Sequence, residues 1–166
     1  MHLTEPLTTL TDCALAAASL AFAISLRRSI GPRNRISAWL WCAAFVASGV
    51  AAAVGGTFHG FAGYLDAGTL RALWSLTMFA IGACGAFIVA AIHAADIKQK
   101  DGTLKWLAYG VGVTLVAAAV QQGPFLRGTT FNHNDAYHLI QIAGLYCFYR
   151  CARTVRDRQG IPPDRS

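Results

Sequence analysis

The stretch ISAWLWCAAFVASGVAAAVGGTFH, residues 36–59, contains no Asp, Glu, Lys or Arg. A helix rises 1.5 Å per residue, so about 20 apolar residues cross the roughly 30 Å hydrocarbon core of a bilayer. This run is long enough to cross and too apolar to be an ordinary surface helix. Similar runs lie on both sides of it, at residues 8–26, 70–93, 104–121 and 134–152. The reading is an all-α, polytopic membrane bundle of five transmembrane helices. Residues 1–166 form a single unit, with a polar tail at 153–166 that contains Pro162-Pro163.

Composition supports this class. Of 166 residues, 55% are hydrophobic and 13% charged, against roughly 25% charged in a typical soluble domain. Mean hydropathy is +0.43. A disordered chain, a collagen-like chain and an ordinary cytosolic enzyme are all excluded, and five crossings leave no length for a second domain. The net charge of +6 could suggest nucleic acid. The basic residues, however, sit between apolar runs and form no nucleic-acid motif, so no nucleic-acid partner is expected.

Those basic residues orient the bundle. Arg27, Arg28, Arg33 and Arg35 follow the first run, and Lys98, Lys100 and Lys105 follow the third. Arg150, Arg153, Arg156, Arg158 and Arg165 follow the fifth. All but Arg71 and Arg127 of the 14 basic residues thus fall on one side. By the positive-inside rule the N-terminus lies outside and the C-terminus in the cytoplasm, as in a bacterial inner-membrane protein. The start, Met1 to Glu5, lacks the basic n-region of a signal peptide, which favours an uncleaved first helix. Trp39, Trp41, Trp74 and Trp106 lie near helix ends and read as interfacial rings. Cys13, Cys42, Cys84, Cys147 and Cys151 include no CxxC and read as free, buried thiols. Small residues spaced by four (Ala52, Gly56, Gly60; Ala47, Ala51, Gly55; Gly82, Ala86) suit close helix approach.

This topology brings costly polar groups to the outer end. They are Asp12 in the first helix, His59 in the second, Trp74, Ser75 and Thr77 in the third, Gln121 and Gln122 in the fourth, and His133, Asn134, Asp135 and His138 in the fifth. Ionisable groups at membrane depth usually face a bundle interior or a water-filled cavity. Asn134, Asp135, His138 and Gln141 share one face of a helix. His133 is turned about 140° from His138 and joins that face only if the helix starts after it. Histidines from two helices with a carboxylate suit a catalytic zinc, which needs three protein ligands and an open position. On this reading His59, His133 and His138 are the ligands. Asp12 or Asp135 orients an imidazole or accepts the proton of water, and Ser75, Asn134 or Tyr137 donates to an oxyanion. Simpler roles also fit: Asp12 as a helix cap, Asn132 to Asp135 as the cap of the fifth helix, and Asp66 as a turn residue.

Two segments resemble the CREST superfamily of membrane hydrolases, which includes alkaline ceramidases and adiponectin/progestin receptors. Gly55-Gly56-Thr57-Phe58-His59 resembles that family's early histidine segment, and Asn134-Asp135-Ala136-Tyr137-His138 resembles its late HxxxH. The run Asn132-His133-Asn134-Asp135 is also similar to one in bacterial multi-pass membrane proteins. The CREST resemblance implies zinc-dependent hydrolysis of a lipid-like amide or ester that enters from the bilayer. The pattern departs from that family in four ways: five helices stand in place of seven, Asn134 stands where the first late histidine would be with His133 displaced by one, Gly55 stands where a serine is usual, and Asp66 is closer to His59 than the family's aspartate would be. The alternatives are a haem-binding membrane electron carrier and a non-catalytic membrane module such as an assembly factor or sensor.

Overall fold

The computed structural model describes residues 2–97, 102–124, 126 and 130–158. Lys98, Lys100, Arg127, Pro162, Pro163 and Arg165, which entered the reading of topology and tail, lie outside the described residues. Five helices follow one another: α1 (Pro6–Arg27), α2 (Arg35–Phe61), α3 (Ala67–Ala94), α4 (Thr103–Gln122) and α5 (His133–Ala152). The architecture is all-α. Helices α1 to α4 are long and apolar enough to cross a membrane. Helix α5 is not among them, because its first turn carries His133, Asn134 and Asp135.

Helix ends follow local chemistry. Pro6 occupies the first turn of α1, where a missing N–H costs nothing. Asp66 caps α3, accepting from the backbone N–H of Gly68 and Thr69 and from the Thr69 hydroxyl. The Thr69 hydroxyl bond, followed by the backbone bonds, holds the Asp66 carboxyl below its ordinary 3.8. The cap is therefore complete at neutral pH and is lost only as pH falls through that lowered value. Helix α2 receives its cap from a distance: the Asp157 carboxylate accepts from the N–H groups of Ile36 and Ser37 at 2.8 and 2.9 Å.

The helices pack as an open arc in the order α3, α2, α1, α5, α4. Helix α3 packs only on α2 and α4 only on α5, while α1 joins the two pairs and α2 touches α5 briefly. Among the described residues, α3 makes no packing contact with α4 or α5. At one end of the arc lies an aromatic core of Phe22, Trp41, Phe45, Phe148 and Tyr149, in which Phe22 stacks on Tyr149 at 5.1 Å. Trp41 belongs to this core at 0% exposure and is not the interfacial ring expected from its position near a helix end. Cys42 and Cys151 are buried as expected, whereas Cys13 is exposed because it sits on the outer face of α1.

The same end is tied by the segment after α5. Asp157 N–H donates to Arg33 C=O, Asp96 N–H to Arg156 C=O and Arg158 N–H to Ala94 C=O, and Arg158 Nε donates to Ala95 C=O. This clasp joins the α1–α2 loop to the end of α3, although α3 and α5 do not pack on each other. Small residues act where backbones meet: a Cβ on Gly110 would lie 2.6 Å from the Phe148 ring. Gly82, by contrast, faces open space, so the expected Gly82/Ala86 contact is not used within the chain.

Gly110→Ala is expected to destabilise the protein by about 1–3 kcal/mol, the usual range for overpacking. Gly82→Ala is expected to be neutral or slightly stabilising, since Ala is the better helix former. Thermal unfolding of the two variants in one detergent checks the difference.

Candidate functional site

The open side of the arc holds a cavity of about 440 Å³ to which all five helices contribute. Its polar lining includes Asp12 from α1, His59 from α2, Thr77 from α3, Gln121 from α4, and Asn134 and His138 from α5. Leu15, Met78 and Ile81 give it an apolar wall. On α3 the lining residues are Trp74, Thr77, Met78, Ile81 and Cys84, the spacing of one helix face.

The wall between α1 and α5 is a buried polar seam. His138 Nε2 lies 3.2 Å from Asp12 Oδ1, and His138 Nδ1 lies 3.0 Å from the Thr11 hydroxyl. That hydroxyl is in turn 3.5 Å from Asp135 Oδ1. Asp12 is 3%, His138 7% and Asp135 0% exposed. An uncompensated charge at such burial would cost several kcal/mol, so the chain Asp12–His138–Thr11–Asp135 has to share its protons. Asp12 Oδ2 has no hydrogen-bond partner in the protein. The carboxylate fits because Gly55 and Gly56 of α2 leave it room: a Cβ on Gly56 would lie 3.0 Å from Asp12 Cβ.

Asn132 fixes the start of α5. Its side chain accepts from the N–H groups of Asn134 and Asp135, and Asp135 Oδ2 accepts from Asn132 N–H at 2.7 Å, which completes a capping box. Asn132 Nδ2 also donates to the Thr8 hydroxyl at 3.1 Å, tying the cap to α1.

The expected site residues divide accordingly. Asp12, His59 and His138 line the cavity, as do Trp74, Thr77, Gln121, Gln122 and Asn134. Ser75 does not: it is exposed, about 100° around the helix from Trp74. Asp135 points at Asn132 and Thr11 and serves the cap and the seam. His133 is the first residue of α5 and so lies inside the helix, turned away from His138, and it does not line the cavity. Asp12 is not a helix cap, since α1 starts at Pro6 with Glu5 as its N-cap.

The donor set does not fit the zinc site that the resemblance implies. Among the described residues, no three His, Cys, Asp or Glu side chains group so as to hold a metal ion. His138 has both ring nitrogens engaged, and Asn134 offers an amide in place of an imidazole. His59 Nδ1 lies 3.2 Å from Glu5 Oε2, an ion-pair distance without hydrogen-bond alignment.

Sequence reasoning passed over Glu5 and the bridging role of Thr11. A threonine in an apolar helix is common, and the partner of Thr11 lies 127 positions away. Thr11→Val removes a partner from both His138 and Asp135. It is expected to cost about 1–3 kcal/mol, the penalty for stranding a buried polar group. Exposed Ser75→Ala is expected to stay within about 0.5 kcal/mol. Urea unfolding in detergent measures both.

A model of a family described as "Family of unknown function (DUF6962)" matches residues 7–100 and 86–157. These matches span most of the sequence, and the chain belongs to that family. No curated protein and no solved structure matches it.

Proposed function

We propose that this member of the family is a multi-pass membrane protein whose cavity binds a lipid-like amide or ester and hydrolyses it by acid–base chemistry of Asp12 and His138. The observation that carries the reading is the 3.2 Å contact between Asp12 and His138 in the wall of a cavity lined by both polar and apolar side chains. In this reading all five helices cross, with the N-terminus outside and the C-terminus cytoplasmic. Helix α5 matches α4 in length, at 20 residues each. Within its polar first turn, Asp135 meets Thr11 of α1 and Asn134 lines the cavity, as polar groups at membrane depth require.

The gap between α3 and the α4–α5 pair gives an amphiphile a sideways entrance. A cavity of about 440 Å³ falls within the roughly 300–1,000 Å³ of small-molecule sites. Asp12 lines the cavity and its Oδ2 is buried without a protein partner; in this reading a water admitted with the substrate reaches that oxygen and gives it a proton. The oxygen of that water attacks the carbonyl carbon. His138, which holds Asp12 through Oδ1, passes its Nε2 proton to the leaving nitrogen or oxygen and regains one from the protonated Asp12. The Thr11 hydroxyl fixes the imidazole plane from the other side. Asn134 and Tyr137 supply N–H and O–H donors for the oxyanion. The zinc implied by the CREST resemblance has no part in this scheme, because of the donor set described above.

The test is turnover of fluorogenic long-chain acyl amides and esters by the full chain in lipid nanodiscs. Asp12→Asn and His138→Gln are each expected to lose about 10²–10⁴-fold, the usual contribution of a general acid or base. Ser75→Ala is expected to retain activity. Wild-type turnover in both site variants, or stoichiometric zinc lost on His138→Gln, would overturn the mechanism.

A further inference from the structure

A second cavity, of about 430 Å³, lies at the clasped end of the bundle, remote from Asp12 and His138. Two separate segments build it: Pro32, Arg33 and Asn34 from the α1–α2 loop, and Arg153, Thr154 and Arg156 from the segment that runs out of α5 into the clasp. Asp157 sets its shape. Its backbone N–H donates to Arg33 C=O at 2.8 Å, which brings the loop beside the clasp. Its carboxylate is occupied by the N-terminus of α2.

Among the described residues, basic groups are in excess at this cavity. Arg33, Arg153 and Arg156 are exposed, and no Asp or Glu among the described residues lies within ion-pair distance of them. Arg153 makes one long bond, 3.5 Å, to the Tyr149 hydroxyl. The C-terminal carbonyls of α5 offset about half a charge, which leaves three guanidinium groups strongly in excess. Guanidinium forks match the tetrahedral oxygens of a phosphate, and basic pockets between helix ends at a membrane face suit anionic headgroups.

We propose that this cavity is a phosphate site in which Arg33 and Arg156 hold the phosphate oxygens and Arg153 approaches from the end of α5. The phosphate is carried by an anionic lipid headgroup or is free in solution. The site is independent of the hydrolytic reading of the first cavity and requires only that the chain lie in a membrane.

The experiment follows thermal unfolding of the full chain in phosphatidylcholine nanodiscs, titrated either with phosphatidylglycerol or with inorganic phosphate. Stabilisation by the lipid alone identifies a headgroup site, and stabilisation by inorganic phosphate identifies a soluble one. In either case Arg33→Gln/Arg156→Gln is expected to raise the required ligand concentration about thirtyfold, at roughly fivefold per arginine near an anionic surface. The clasp bond at position 33 uses backbone and survives this change. Arg153→Gln, a second variant, is expected to show about a fivefold loss. Arg27→Gln/Arg28→Gln removes the same charge from the same end outside the cavity and is expected to lose clearly less than the Arg33→Gln/Arg156→Gln variant. The proposal is overturned if neither ligand stabilises the wild type, or if the Arg27/Arg28 variant loses as much as the Arg33/Arg156 variant.

Discussion

The arrangement of the molecule depends on the polar seam between α1 and α5. Helices α2 and α3 form one pair and α4 and α5 another, and α1 is the main bridge between them. Across that bridge Thr8 meets Asn132, Thr11 meets Asp135 and His138, and Asp12 meets His138. Apolar packing between helices tolerates small slips, whereas buried polar groups do not, since each one left unpaired costs about 1–3 kcal/mol. The seam therefore sets the register of α5 on α1, and with it the position of everything α5 carries into the cavity.

The two ends of the bundle have opposite character for a related reason. At the end that holds the cavity, glycines of α2 make room for Asp12, and α3 stands apart from α5. At the other end the aromatic core and the clasp hold the same helices together. An arc fastened at one end and open along one side keeps its cavity accessible without loosening its core. The Asp157 clasp serves a further purpose: by capping α2 and gripping Arg33, it gathers arginines from two segments at the fastened end.

Much of the candidate site was legible because polar residues in apolar runs are conspicuous. Asp12, His59, Asn134 and His138 needed only the alternation of helix direction to be placed at one end, and the structure brings them to one cavity. Ser75 and His133 do not line the cavity, for a shared reason. Depth along a helix follows from counting residues, but direction around it depends on where the helix starts and which neighbour it faces. A capping box starting α5 at His133 turned that ring away, and α3 presents Thr77 rather than Ser75 because it packs on α2 alone.

The sequence by itself determined that the chain is helical and that it has five helices; it read all five as crossings, and four of them are long and apolar enough for a membrane. These properties follow from hydrophobic run length and local capping, which act over a few residues. Tertiary structure alone decided that Thr11 joins His138 to Asp135, that Asp157 caps a helix 120 positions away, and that α3 leaves a side of the bundle open. Each of these is a pairing between distant positions. Local propensity carries no information about such pairings, because they are selected only when burial makes every unsatisfied polar group costly.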